Sequence, residues 1–237
     1  MDYKKLIQPL IIGASLSILV ILSYHQGLLD IPELKSLDFR FQIRGPIASK
    51  VPIVLVSIDQ DSFDELNLPW TWTRTLHATL IRKLAASQAK LIAFDILFTE
   101  PKGDPREDQA LADAVRDAGN VILAAEFTEV ASDFGPRTTV NLPIPLVREH
   151  ALGYGPANLV TDRDGIVRRA RLALAFQDRI FPSFAYQIYD GFTGKEATQG
   201  REMTLTPYLI NFRGPLRSYP IVPYYRILRD EIDPAVF

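Results

Sequence analysis

VPIVLVSI, at Val51–Ile58, is a continuous apolar run rich in β-branched residues, which is typical of a strand covered on both faces. The run ends at Asp59, and apolar residues at helical spacing then predict a helix capped by Thr73. A second apolar run, Leu91–Phe94, ends at Asp95 in the same way. Strand, helix and strand in this order predict a right-handed parallel crossover, and therefore an α/β fold.

The pattern continues through a second crossover and then changes. Glu107–Asp117 carries an apolar stripe and stops at Gly119, before a third strand at Val121–Ala125. From Val167 to Phe176 apolar and charged residues alternate, as in a half-exposed strand that extends a sheet in the antiparallel direction. We predict an α/β three-layer sandwich with a mixed, mainly parallel central sheet, preceded by one transmembrane helix.

The transmembrane helix is predicted from the N-terminal sequence. Leu6–Leu22 is almost unbroken apolar sequence, just long enough to cross a bilayer. Lys4 and Lys5 precede it and Asp30 and Glu33 follow it, so the positive-inside rule places residue 1 in the cytoplasm and the rest outside. We assign residues 1–29 to the cytoplasmic N-terminus and the anchor. A cleaved signal peptide and a buried soluble helix are the alternatives.

Composition excludes several classes of function. The 237 residues carry a formal net charge of −2, which gives no general attraction to nucleic acid. The absence of cysteine excludes disulfides, thiolate nucleophiles and Cys-ligated zinc, and the three histidines show no metal-binding spacing. We therefore expect no nucleic-acid partner, no metal and no cofactor.

Candidate site residues follow the predicted strands. Ligands of open α/β sheets settle beyond the carboxyl ends of the strands, where Asp59, Asp61 and Asp95 are expected. These carboxylates could hold a divalent cation or a polar ligand. Alternatively, Asp61 or Ser62 caps a local helix and Asp59 satisfies loop amides.

Trp70 and Trp72 flank Thr71 in the loop after Pro69. Exposed aromatic side chains in loops often contact ligands, although large aromatic residues are more often buried in the core. Arg74 could pair with Asp59 or Asp61, or face an anionic ligand. We include all three residues, Trp70, Trp72 and Arg74, among the candidate ligand-binding residues, together with Asp59, Asp61, Ser62 and Asp95.

One enzymatic reading remains open. An apolar strand followed by Asp59-x-Asp61 resembles the nucleophile motif of haloacid-dehalogenase-type phosphatases, although Phe63 stands where that family has Thr or Val.

Asp162–Gly165 resembles part of a calcium loop, but no later glutamate follows at the required spacing, so we predict a turn. Arg168, Arg169 and Arg171 form a basic strip, for which we expect a solvated face.

Five segments, in order, resemble one family: LDFRFQIRGP, SIDQDSFDELNLPWTWTR, IAFDILF, NLVTDRDGIVRR and INFRGPLRSYP. They are similar to the second class of CHASE domains, the extracellular sensors associated with cyclases and histidine kinases. The resemblance covers nearly all of Leu37–Phe237. The family usually has proline where this chain has Thr71 and Thr73.

The resemblance implies that residues 30–237 form a sensor domain, cut at its C-terminal end, on the periplasmic or extracellular side of a bacterial inner or plasma membrane. Its effector, a nucleotide cyclase or a protein kinase, is expected beyond Phe237, so we predict no enzymatic activity in this chain. Expected partners are the membrane, a second copy in a homodimer, and an unknown small-molecule or protein signal. A purely structural domain at the cell surface is a further possibility.

Overall fold

The computed structural model describes residues 3–132, 135–194, 203–215 and 217–237, which fall into two compact units. The anchor unit comprises the described parts of Met1–Ala48, Thr161–Ile166 and Asn211–Ser218. The sheet unit comprises those of Ser49–Val160, Val167–Ile210 and Tyr219–Phe237.

Two helices dominate the anchor unit, α1 (Tyr3–His25) and α2 (Asp30–Arg44). Within the described residues α1 is the one helix long and apolar enough to cross a membrane, and none of the window Ile7–His25 is buried in the protein. A turn at Gly27, which adopts a left-handed φ of 71°, separates the two helices. The α1 helix therefore presents apolar side chains on all sides.

Helices of the sheet unit begin and end at recognisable caps. Asp59 caps α3 (Gln60–Leu66), Asp104 caps α5 (Pro105–Ala118), and Ser183 caps α7 (Phe184–Thr193). Gly119, with a φ of 67°, ends α5 as predicted. The other helices are α4 (Arg74–Ala86), α6 (Pro145–Arg148), α8 (Tyr224–Leu228) and a 3₁₀ turn at Pro234–Val236.

Eleven strands are found in the described part of the chain. They are β1 (Leu55–Ser57), β2 (Ile92–Phe94), β3 (Val121–Ser132), β4 (Gly135–Asn141), β5 (Gly153–Pro156), β6 (Val160–Thr161), β7 (Val167–Ala170), β8 (Ala173–Phe176), β9 (Arg179–Pro182), β10 (Tyr208–Leu209) and β11 (Ile221–Pro223).

Parallel and antiparallel pairs both occur. The pairs β1–β11, β2–β3 and β3–β5 are parallel, and β3–β4, β7–β10 and β8–β9 are antiparallel. The mixed α/β class is thus confirmed, with the described strands divided among four sheets. The single central sheet of a three-layer sandwich stays a prediction.

The core of the sheet unit lies where α4 and α5 pack together beside β2 and β3. The apolar face predicted for α4 is the buried one, and Leu80, Ile81 and Leu84 belong to the core. Burying such side chains stabilises a fold by roughly 1.5–3 kcal/mol each. The parallel crossover beside this core runs from β2 through α5 to β3, whereas β1, in VPIVLVSI, pairs with β11 and not with β2. The crossover predicted from β1 to β2 is therefore not formed within one sheet of the described strands.

Two local predictions were wrong. The strand expected over Val167–Phe176 is interrupted after Ala170 and forms two strands, β7 and β8, in different sheets. Arg168, expected on a solvated basic face, is only 2% exposed. Arg169 and Arg171 are half-buried, so the basic strip as a whole is not the solvated face that was expected.

Candidate signal-binding site

Asp59 follows β1 and acts as a helix cap. Its Oδ1 atom accepts hydrogen bonds from the backbone N–H of Ser62 at 2.9 Å and from Ser62 Oγ at 2.7 Å, and its Oδ2 atom accepts one from Ser57 Oγ at 2.6 Å. Burial opposes ionisation of Asp59, but these hydrogen bonds outweigh it and leave the pKa of the carboxyl below its usual value. Oδ1 thus holds the start of α3, as a cap requires, and Oδ2 joins the cap to the end of β1.

Asp61 and Asp95 are exposed. No hydrogen bond or ion pair within the described ranges joins Asp95 to Asp59 or Asp61. Those same ranges contain no group of three or more His, Asp or Glu side chains that could hold a metal ion. The geometry therefore gives no support to a divalent-cation site at this end of the strands.

The two tryptophans have different environments. Trp70 is 51% exposed, whereas Trp72 is 2% exposed and donates from Nε1 to the Leu68 carbonyl at 3.3 Å. Their ring centroids lie 5.7 Å apart, and Phe63 of α3 contacts both, at 6.2 Å from Trp70 and 5.3 Å from Trp72. The Trp70 ring is therefore exposed to solvent on one side and packs against the rings of Phe63 and Trp72 on the other.

The aromatic contacts continue from Trp72 into the core. Its ring lies 4.9 Å from that of Tyr224 at the start of α8, and the Tyr224 hydroxyl is 2.8 Å from His77 Nδ1. The His77 ring also packs against Phe98 at 5.5 Å and Phe94 at 6.0 Å. An unbroken series of aromatic contacts therefore links exposed Trp70 to α4, α8 and the end of β2.

The sequence suggested that Arg74 could pair with Asp59 or Asp61. In the structure its ion-pair partner is Asp108 instead. Arg74 is 4% exposed, and its Nη1 forms an ion pair with Asp108 Oδ1 of α5 at 2.9 Å. Its Nη2 donates to the Glu100 carbonyl. Burial lowers the pKa of the Arg74 guanidinium, opposed by the negative charges of Asp108 and Glu107.

The start of α4 is capped from α5. Thr73 occupies the predicted cap position, but its side chain makes no capping bond; instead Glu107 Oε2 accepts the backbone N–H of Arg74 at 2.8 Å. Lys102 donates its backbone N–H to Asp108 at 3.0 Å and its Nζ to Thr71 Oγ1 at 2.9 Å. Polar contacts therefore hold the Trp70–Arg74 loop against the start of α5.

Sequence reasoning missed the residues that support this loop, mainly Glu107, Asp108, His77 and Tyr224. Asp108 was readable as an acidic residue in the first turn of a helix, which favours the helix dipole. Its pairing with Arg74, 34 positions earlier, has no local signal. Tyr224 lies still further along the chain, so only the folded structure reveals its contact with His77.

The Asp162–Gly165 segment forms the predicted turn. The backbone N–H of Gly165 donates to the Asp162 carbonyl at 2.9 Å, and Gly165 adopts a φ of 78°. This conformation suits glycine and closes a tight connection between β6 and β7. The segment is thus a hairpin turn, as the sequence indicated.

Comparison with known proteins gives one match. A family model described as the CHASE2 domain matches residues 15–237. No curated protein and no solved structure matches the chain significantly.

Proposed function

Because the chain belongs to the CHASE2 domain family, a family of extracellular sensor domains of signalling receptors, we propose that it is the membrane-anchored input domain of such a receptor. In this proposal α1 crosses the membrane, the sheet unit lies outside the cytoplasm of a bacterial cell, and a bound signal regulates a cytoplasmic effector. The effector is a nucleotide cyclase or a protein kinase. Two copies form the working receptor.

The character of α1 supports the anchor. Its 23 residues span about 35 Å at 1.5 Å per residue, enough for a hydrocarbon core of about 30 Å. Among the residues that the structure describes, none buries any part of its apolar window. Lys4 and Lys5 precede this window and Asp30 and Glu33 follow it, which favours a cytoplasmic N-terminus.

Reporter fusions test the location of the sheet unit. Alkaline phosphatase, which is active only outside the cytoplasm, is expected to be active when fused after Phe237, and green fluorescent protein at the same position is expected to be dark. Deleting residues 1–29 should abolish the phosphatase signal. A fluorescent fusion together with inactive phosphatase would contradict the proposal.

We propose that the signal contacts the exposed end of the aromatic series, at Trp70, with Asp61 and Asp95 as further accessible candidates. Ser62, Trp72 and Arg74 are buried, so their role in this proposal is to hold the loop in place. Asp59 acts as the cap of α3. A signal that prefers one arrangement of this loop shifts the population towards it by no more than its difference in affinity for the two.

A small-molecule screen read out by thermal unfolding tests this assignment. Compounds that stabilise the wild-type chain are expected to lose their effect in Trp70→Ala. They should keep it in Tyr189→Ala, which removes an exposed aromatic ring from α7. Stabilisation that survives Trp70→Ala would place the binding site elsewhere.

A further inference from the structure

Two segments of the anchor unit interrupt the sequence of the sheet unit. Thr161–Ile166, here called the first arm, connects β6 to β7. Asn211–Ser218, called the second arm, follows β10. Each arm is covalently continuous with a strand and is grouped with the helices α1 and α2 by its contacts.

The arms leave the same end of one small sheet. Strands β7 and β10 pair in antiparallel fashion, with Leu209 opposite Arg169, and the N–H of Ile210 donates to the Arg168 carbonyl at 2.9 Å. In an antiparallel pair one strand ends where its neighbour begins. The first arm enters β7 at the position where the second arm leaves β10.

The first arm holds the N-terminal end of α2. Arg163 Nη1 lies 2.7 Å from Asp30 Oδ2, in the first turn of the helix. Gly27, in the turn before α2, adopts a left-handed φ of 71°. A Cβ atom at this position would lie only 2.7 Å from Arg163 Nη1. A side chain at residue 27 would be strained at this φ and would require the Arg163 guanidinium to shift.

The second arm holds the C-terminal end of α2. Arg44 Nη1 donates to Asn211 Oδ1 at 2.6 Å, and Nη2 donates to the Phe212 carbonyl. The Phe212 ring packs edge-on against Phe41 with centroids 6.0 Å apart. Directly after the helix, the N–H of Ile47 donates to the Arg213 carbonyl at 2.6 Å.

We propose that α2 is a coupling helix, held at its two ends by arms of one sheet, through which a change in the β10–β7–β6 sheet reaches the membrane anchor. The inference rests on the proposed function for its biological meaning. The helix is about 22 Å long, so its two attachment points are well separated. Displacement of one arm relative to the other then tilts the helix, whereas a flexible linker would absorb it.

If each arm holds one end of α2, the loss of one or both arms should open the helix in a specific pattern. Loss of one arm frees one end of α2 and leaves the middle protected by the other. Loss of both arm contacts leaves the middle of α2 unprotected as well. Hydrogen exchange of backbone amides measures such local opening directly.

The experiment follows exchange by mass spectrometry in the full chain in lipid nanodiscs. We expect Arg163→Glu, which replaces an exposed ion pair with a like-charge contact, to speed exchange at the N-terminal end of α2 up to about fivefold. Arg44→Met, which removes two hydrogen bonds, should have an effect of similar size at the C-terminal end. In the double variant, exchange in the middle of α2 should rise by more than the product of the two single effects. Arg163→Lys, which keeps the charge, should stay close to the wild type.

Lys35→Glu is the matched control, since Lys35 is an exposed residue of the same helix and belongs to neither arm contact. A double variant whose mid-helix exchange equals that of the wild type would overturn the proposal. So would an equal effect of Lys35→Glu. Because this measurement does not depend on which side of the membrane the sheet unit occupies, its failure is distinguishable from failure of the proposed function.

Discussion

At the scale of single residues, the surroundings of His77 strongly alter its chemistry. It is buried, its Nδ1 lies 2.8 Å from the Tyr224 hydroxyl, and aromatic rings surround it. Burial, with smaller contributions from the positive charges of Arg74 and Lys102, lowers its pKa to about 4. The imidazole is therefore neutral in the folded protein throughout the range in which free histidine titrates.

This shift predicts a stability that depends on pH. The unfolded chain takes up a proton at His77 near its ordinary pKa of 6.5, whereas the folded chain resists it down to about 4. The free energy of unfolding should therefore fall as the pH drops through this window, by about 3 kcal/mol in total. Urea unfolding in detergent, followed by tryptophan emission at several pH values, measures it.

His77→Gln is expected to remove most of this dependence, since the amide keeps a polar partner for Tyr224 and does not titrate. His150→Gln is the control and should retain it. An unchanged slope in His77→Gln would show that other groups control stability in acid.

Single residues also mark the limit of sequence reasoning. Trp70 and Trp72 are two positions apart in a loop without periodicity, so no pattern distinguishes the exposed ring from the buried one. Asp59 has an ambiguity of another kind, because a carboxylate after a strand is equally suited to a cap, a ligand or a nucleophile. Only the hydrogen bonds from Ser57 and Ser62 identify the cap.

At the scale of elements, the joint between α4 and α5 is electrostatic as well as apolar. The side chains of Arg74 and Asp108 are 4% and 7% exposed, so removing one leaves the other charge buried and unpaired. Such a loss typically costs about 3–5 kcal/mol, whereas removing both partners of a buried pair is often close to neutral.

We therefore expect Arg74→Met to destabilise the sheet unit by about 3–5 kcal/mol, and Arg74→Met with Asp108→Leu to recover much of that loss. Arg116→Met, which breaks an exposed ion pair with Asp113, should change stability little. Chemical denaturation of the wild type, Arg74→Met, Asp108→Leu and the double variant gives the coupling energy. Strictly additive effects would mean that the two side chains act independently.

Elements that depend on local sequence were predictable. The strand–helix–strand pattern from Val51 to Phe94 and the stop at Gly119 follow from periodicity and caps, which act over a few residues. The division of Val167–Phe176 into β7 and β8 was not, because β7 pairs with the distant β10 whereas β8 pairs with β9, which begins three residues after β8 ends. The cap that Glu107 provides to α4 is long-range in the same sense.

At the scale of the whole molecule, an apolar helix that none of the described residues buries precedes an α/β unit, in a chain of the CHASE2 family. Charged residues flank this helix with the asymmetry that the positive-inside rule requires. Family, helix and charge together favour a receptor whose sensing part lies outside the cytoplasm. Sequence alone predicted the family and the apolar N-terminal helix, because both depend on ordered segments and composition.

Cysteine accessibility tests this location most directly, because the chain has no cysteine and any introduced thiol is unique. Ala86, exposed at the end of α4, and Asp2, before α1, are each replaced by cysteine and treated with a membrane-impermeant maleimide in intact bacterial spheroplasts. We predict that Ala86→Cys is labelled at once, and that Asp2→Cys is labelled only after the membrane is permeabilised. Labelling of Ala86→Cys that requires permeabilisation would contradict an extracytoplasmic sensor.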